Sequence, residues 1–288
     1  VGLGVSLSIN EIASHVEAAI VDTPVTSVSG VTVSAESEAD IDSLAFGVAL
    51  GVAISGSAQS ISADATGAMS FNEIDNSVVA RIANTFASGT AGVAAAGDVR
   101  ISADNDAEIE ANATAAAASV SGSTSSQSIS VPIGIAVADN EIDSDVSASV
   151  VNLPELTTGG DHLRVRATNN AKVDALTLAA SAAVTIGGST SIGASRGSAT
   201  ATNSISGVTN AYVENAGIGT SAVEVGGVTV RAQDTATIDA EIIGIAAALF
   251  IQLVDTMGRH HHQPVLLRIG IAGALMVPFA VFIPETMG

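Results

Sequence analysis

Apolar and polar residues alternate along most of this chain, and the alternation itself recurs. The segment VTVSAESEADID places Val, Val and Ala on one side of an extended strand and Thr and Ser on the other. Three related segments follow it, so that the four copies begin at Val31, Val99, Leu163 and Val228. Their spacings of 68, 64 and 65 residues predict a tandem array of strands. A polar step within each copy, Glu36 to Glu38 in the first, predicts a turn between two short strands.

A second anchor follows the same period. The segment SINEIASHVEAAI around Asn10 reappears in related form around three further asparagines, which are Asn72, Asn140 and Asn203. The two anchors divide the array into a partial unit 1–30, complete units 31–98, 99–162 and 163–227, and a partial unit 228–250. Because NEI precedes VTVSA in residues 1–30 as it does between complete units, we expect a piece of a longer array.

The middle of each unit has two unlike faces. From Leu44 to Ile54 every even position is large and apolar, whereas every odd position is Ala, Gly or Ser. Similar alternation surrounds Val131 and Leu176. We expect the large residues to form the core and the small ones to form a smooth outer face that another sheet could approach closely. Helices are not expected in the Ala-rich stretches, because Val, Ile, Thr and Gly interrupt them and the apolar residues alternate.

The fold class predicted from these patterns is all-β, a parallel β-solenoid built from units of about 65 residues. Each unit could form three turns of about 22 residues or one wide turn. The wide turn is favoured, because segments within a unit differ while each resembles its counterpart one period away. Like would then stack on like, and Asn10, Asn72, Asn140 and Asn203 would form a ladder of amides.

Composition and charge narrow the function. Aromatic residues are 2% of the chain, so the core should consist of small Ala, Val and Ile side chains and contain no shaped pocket. The formal net charge is −20, which argues against nucleic acid as a partner and favours solubility through self-repulsion. Cysteine is absent, which fits a bacterial exterior and argues against thiolate chemistry.

The tail 251–288 departs from the repeat. Its stretch from Val265 to Ile283 is almost wholly apolar, interrupted by Arg268 and Pro278, and is long enough to contact or cross a membrane. The alternatives are a segment that caps the array and a fused foreign segment. The cluster His260, His261 and His262 is expected to be a solvated linker, because consecutive side chains diverge and do not form a ligand set.

Candidate chemistry is sparse. Oxygen donors at alternate positions make Asp139, Glu141, Asp143 and Asp145 candidates for weak Ca²⁺ binding, although a solvated face is the default reading. The Gly-rich nonapeptide of calcium-binding β-rolls does not occur. Nucleophile, phosphate-binding and dinucleotide motifs are also missing, and few aromatics are available to stack on sugars. We therefore expect no catalysis and no required cofactor.

The alternating strand, the NEI anchor and GDVxISAxxxAxI at Gly97 to Ile109 resemble the repeat regions of very large bacterial surface proteins. These are the haemagglutinin-like and leukotoxin-like adhesins and autotransporter passenger segments, and the resemblance covers about residues 1–250. It implies a structural or adhesive stalk or fibre that is extracellular or on the cell surface. Its partners would be a host or neighbouring cell, or further copies joined through Ala, Gly and Ser faces. Alternatives are a solenoid that binds ice, mineral or glycan surfaces and, less favoured, a polysaccharide-active β-helix enzyme.

Overall fold

The computed structural model describes residues 1–254 and 266–276, and it shows regular structure of one kind, the β-strand. In chain order the strands are β1 (Gly2–Val21), β2 (Val25–Ser27), β3 (Val31–Ser55), β4 (Ser60–Ala83), β5 (Val93–Ala95), β6 (Val99–Ser123), β7 (Ser128–Val151), β8 (Leu156–Thr157), β9 (His162–Gly187), β10 (Ser191–Gly193), β11 (Arg196–Ser206), β12 (Thr209–Glu214), β13 (Gly227–Val254) and β14 (Leu266–Met276).

The strands form three sheets, and the chain visits each sheet once per unit. Sheet I has the order β14-β13-β9-β6-β3, sheet II contains β1, β4 and β7 with β10, β11 and β12 paired to β7, and sheet III is the short stack β2-β5-β8. Within the repeats the pairing is parallel and joins each residue to its counterpart one unit away, as in Val31 with Val99 and Val99 with Leu163. The predicted parallel β-solenoid with one wide turn per unit is therefore confirmed, and coils of 22 residues are wrong.

The strands are longer than expected, because they continue through the polar steps at which the sequence predicted turns. β3 runs unbroken for 25 residues, so the turn expected at Glu36 to Glu38 does not exist. The corresponding steps in β6, β9 and β13 are likewise continuous strand. The reason is that Ser37, Asn105 and Asn169 point between sheets I and II, where hydrogen bonds satisfy their polar groups. The alternation continues through the step, with the inward residue polar instead of apolar.

The core lies between sheets I and II and becomes thinner towards the turns that join them. Beside sheet III it contains large side chains such as Ile101, Leu156 and Leu163, all at most 1% exposed. Towards the turns it narrows to a layer of alanines, which are Ala45, Ala68, Ala115, Ala136 and Ala179. Here the backbones approach so closely that only small residues fit between them.

This close approach reverses the expected orientation of the two-faced strands. Leu44 is 69% exposed and Leu50 67%, whereas Ala45 between them is fully buried. The prediction that the large residues face the core is wrong. Alternation distinguishes two faces of a strand, and the distance between the sheets decides which of them is inside.

The segments that connect the sheets differ in how much their lengths vary from unit to unit. The turns from sheet I to sheet II span residues 56–59, 124–127 and 188–190. The loops from sheet II to sheet III span residues 22–24, 84–92 and 152–155, and they absorb most of the variation in unit length.

The end of the array is formed by β13 and β14. β13 keeps its register with β9 from Gly227 to Gln252, and β14 pairs antiparallel along its other edge. Residues 266–276 of the apolar stretch are therefore strand. Residues 1–254 and 266–276 contain no helix that could span a lipid bilayer. The cluster His260, His261 and His262 lies outside the described residues.

Candidate interaction surface

The outer face of sheet I changes character halfway along each strand. From Thr32 to Asp42 the outward residues of β3 are polar, and four of them are acidic. From there to the turn the outward residues are large and apolar, namely Leu44, Phe46, Val48, Leu50, Val52 and Ile54. We call these six residues and their paired neighbours on β6, β9 and β13 the apolar half of sheet I, and the outward face from Thr32 to Asp42 with its paired neighbours the acidic half.

The apolar half is accessible to solvent. Its six residues on β3 are between 54% and 80% exposed. Rows of paired residues continue the surface across the sheet, as in Val52, Val120, Val184 and Leu249. The row of Leu44 is interrupted by Asn112 on β6 and Glu241 on β13, which mark the border with the acidic half. At about 3.3 Å per residue and about 4.8 Å per strand, four strands present roughly 700 Å². Without the row of Leu44, the contiguous apolar patch is roughly 600 Å², which is at the upper end of what monomeric proteins expose.

Sheet II has an apolar counterpart, and on its edge strand β1 this is as exposed as on β3, since Val5, Leu7 and Ile9 are 63%, 56% and 68% exposed. Near the turns its outward residues include Leu3 on β1, Ile61 on β4 and Ile135 on β7, which are 78%, 53% and 47% exposed. On β1 and β7 the Ala, Gly and Ser positions lie largely between the sheets, whereas β4 also places Ala63, Ala65 and Gly67 outwards. The large apolar residues therefore contribute most of the apolar side-chain surface available for contact with another molecule.

Acidic residues form in-register rows on the other half of both sheets. On sheet II, Glu11, Glu73 and Glu141 occupy paired positions, and on sheet I a row contains Asp42, Glu110, Asp174 and Asp239. Like charges on paired strands repel, so these rows reduce stability while they keep molecules apart.

The four calcium candidates belong to this acidic surface. Asp139, Glu141, Asp143 and Asp145 are all exposed on the outer face of β7, two residues apart along one strand. The Asp145 carboxylate accepts a hydrogen bond of 2.9 Å from the Val208 N–H. These residues thus share a face, and their extended spacing directs them outwards side by side.

Lys172, the only lysine of the chain, interrupts the acidic surface. Its Nζ lies 2.5 Å from Asp174 and 2.8 Å from Glu108 on the adjacent strand. The hydrogen bonds that its ammonium donates, first to Asp174 and then to Glu108, raise the pKa of Lys172 above its ordinary value. The ammonium thus holds two carboxylates that would otherwise repel each other.

Asp98 is the centre of a second ionic cluster, immediately before β6. Its carboxylate accepts a hydrogen bond from the His162 N–H at 3.1 Å and lies 2.6 Å from Arg100 and 2.5 Å from Arg164. The pKa of Asp98 lies well below its usual range. The hydrogen bond from the backbone N–H of His162 contributes most to this lowering, and those from the guanidinium groups of Arg100 and Arg164 come next. Among the described residues, Asp98, Asp161 and His162 are the one group of three acidic or histidine side chains whose ligand atoms lie within 4.8 Å of one another. Because two arginines occupy the Asp98 carboxylate, the cluster is explained as an ion-pair junction between two units.

A row of inward-facing asparagines, buried at Asn72 and Asn140 and half-buried at Asn10 and Asn203, connects the units through its side chains. Asn10 donates to Asn72 at 2.8 Å, Asn72 donates to Asn140 at 2.7 Å, and Asn140 donates to Asn203 at 2.7 Å. Each amide thereby satisfies its neighbour inside the core.

A further set of buried amides was missed by sequence reasoning. Asn105 donates to Asn169 at 2.9 Å and accepts from Asn76, on the opposite sheet, at 3.1 Å. The signal was the recurrence of polar residues at one register position, Ser37, Asn105, Asn169 and Asp234, which we interpreted as a turn.

The fold and these surfaces define a parallel β-solenoid with one rung per unit and a split apolar and acidic exterior. No protein-family model, curated protein or solved structure matches the chain.

Proposed function

We propose that the chain is a structural and adhesive segment of a secreted or surface-anchored bacterial repeat protein, without catalytic activity. The observation that carries the proposal is the pairing of every long strand with its own counterpart in the next unit. Side chains at each outward position therefore recur along the array, which multiplies any contact that one unit makes.

The geometry gives a broad array and only a short rise for each unit added. One unit of about 65 residues adds a single strand to each sheet, a rise of about 4.8 Å. The 25 residues of β3 extend about 80 Å across the array. Most of the sequence of a unit therefore forms a broad, stiff, repeating face. Such a face suits adhesion and lateral contact better than it suits a role as a thin spacer.

Charge and composition are compatible with an exposed location. The net charge of −20 disfavours aggregation of separate particles, and a fold without cysteine needs no particular redox environment. The outward threonines do not form the regular rows that ice binding would need, so the ice-binding alternative receives no support.

Bead adhesion and electron microscopy test the proposal together. Beads coated with the folded chain should adhere to bacterial or host cells, whereas beads coated with urea-unfolded chain should not. Micrographs should show flat particles about 80 Å across, to which each added unit contributes about 4.8 Å. Failure to adhere to any cell or glycan surface would remove the adhesive role, and release of reducing ends from polysaccharides would contradict the absence of catalysis.

A further inference from the structure

We propose that the apolar half of sheet I binds a second copy of this chain, face to face and with the strands of the two copies antiparallel. The proposal goes beyond the structural role above, because it assigns one surface, one partner and one orientation.

The first argument is the change of composition within a single strand. β3 places polar residues outwards from Thr32 to Asp42, as a sheet facing water does. Beyond Asp42 the outward residues become large and apolar, although the inward residues there, such as Ala45 and Ala49, already complete the core. Packing among residues 1–254 and 266–276 does not explain the outward Leu, Phe, Val and Ile side chains, and covering by another apolar surface does.

The second argument is size and shape. Four paired strands give the apolar half roughly 700 Å², close to the ~800 Å² per partner of a stable complex. A sheet with parallel, in-register strands is regular along both directions, so an identical sheet can pack on it about 10 Å away. The same residues on both copies would then form an isologous contact.

Charge selects the orientation. The acidic half continues from the apolar half on the same strands, through Asp40 and Asp42 on β3 and Glu110 on β6. If the two copies overlapped with parallel strands, these carboxylates would face their own copies across about 10 Å, within roughly one Debye length. An antiparallel overlap centred near Ala49 joins the apolar halves, places Glu241 at the margin of the contact, and lets the two acidic halves project in opposite directions.

Charge also favours a protein partner over an anionic membrane. The apolar half carries neither lysine nor arginine at its outward positions on β3, β6, β9 and β13 up to Ile251, so it offers no attraction to acidic headgroups. Its nearest charges are carboxylates, which such a membrane would repel.

Analytical ultracentrifugation of the full chain tests the contact. We expect a reversible dimer, and the double variant Val48→Glu with Val52→Glu should weaken it about tenfold or more, since each carboxylate would be buried against apolar residues. The matched control Val131→Glu with Ile135→Glu places the same charges on the outer face of sheet II and should leave the dimer intact. Circular dichroism should show the same strand content in all three proteins.

Spin labels test the orientation, and the absence of native cysteine makes single labels direct. For an overlap centred near Ala49, labels at Leu50→Cys should lie roughly 10–20 Å apart at the backbone, and labels at Glu38→Cys roughly 70 Å apart. A short Glu38 distance would overturn the antiparallel arrangement.

Three further results would overturn the dimer itself: a monomer at every concentration, a dimer unaffected by Val48→Glu with Val52→Glu, and a monomer that floats with neutral phosphatidylcholine vesicles through this face. A monomer with the expected width of about 80 Å and intact cell adhesion would leave the proposed structural and adhesive function in place.

Discussion

Gly47 in sheet I faces the backbone oxygen of Gly67 in sheet II, and a methyl group added to Gly47 would lie 2.4 Å from that oxygen. Backbone cannot move aside as a flexible side chain can. We therefore expect Gly47→Ala to lower the free energy of unfolding by about 1–3 kcal/mol, as overpacking of a core does. Urea unfolding followed by circular dichroism measures this change.

The matched control is the partner residue. A methyl group on Gly67 would point outwards and meet nothing within 4 Å. Gly67→Ala should leave stability unchanged or raise it by up to about 1 kcal/mol, because alanine loses less backbone entropy than glycine on folding. Equal losses for the two variants would contradict the close approach of the sheets.

The orientation of the strands can be tested by truncating one side chain that faces the core and one that faces solvent. Ile142 is fully buried between the sheets, so Ile142→Ala should cost about 2–5 kcal/mol. Leu50 is 67% exposed, and Leu50→Ala should cost about 0.5 kcal/mol or less when measured in the dissociated chain. A loss of stability for Leu50→Ala as large as that for Ile142→Ala would contradict the exposed position of Leu50 and support the orientation predicted from the sequence.

The amide ladder can be interrupted at its centre. Asn140→Ala removes the acceptor of Asn72 and the donor to Asn203, both at 2.7 Å. We expect a loss of about 2–4 kcal/mol, from two hydrogen bonds and the partners left unsatisfied. The neighbouring exposed residue provides the control, since Glu141→Ala should change stability by less than about 0.5 kcal/mol.

Acid should remove the contribution of Asp98. Because its pKa in the folded chain lies below the ordinary value of 3.8, the unfolded chain takes up the proton first as the pH falls. The stabilisation is therefore complete above about pH 5 and is lost progressively as the pH falls through 3.8 towards the folded pKa. The melting temperatures of the wild type and Asp98→Asn should differ most near neutral pH and converge in acid. A constant difference would contradict this role.

The acidic rows predict effects of opposite sign for two exposed residues. Glu73→Gln removes the middle charge of the row Glu11, Glu73 and Glu141 and should raise stability by about 0.5 kcal/mol or less. Lys172→Gln removes the cation between Glu108 and Asp174 and should lower stability. Both effects should shrink as NaCl is raised, because salt screens exposed charges. Thermal unfolding at low and high salt measures them.

The stacking of the units could be predicted because it leaves a signature in the sequence. When Val31 pairs with Val99 and Val99 with Leu163, each position meets the same environment in every unit and keeps a similar side chain. The differences among segments within one unit likewise follow from their places in different sheets. Period and register are therefore properties that a single sequence can reveal.

The orientation of the strands could not be predicted in the same way. Leu44 and Ala45 alternate equally well with either one inside, and the thin layer between the sheets decides in favour of alanine. Asn105 resembled a turn residue because its partner Asn76 is 29 positions away along the chain. The residues of the apolar half were thus recognised as a set, but their role as a surface required the tertiary structure.

Most of the variation in unit length lies in the loops before sheet III, and this affects how the gene can evolve. Duplication or deletion of one whole unit in a gene leaves each remaining long strand beside a neighbour of similar sequence, so the register survives a change in copy number. Small insertions such as the longer segment 84–92 are accommodated outside the long strands. An array of this design can lengthen or shorten by recombination between its own repeats without a new fold having to evolve.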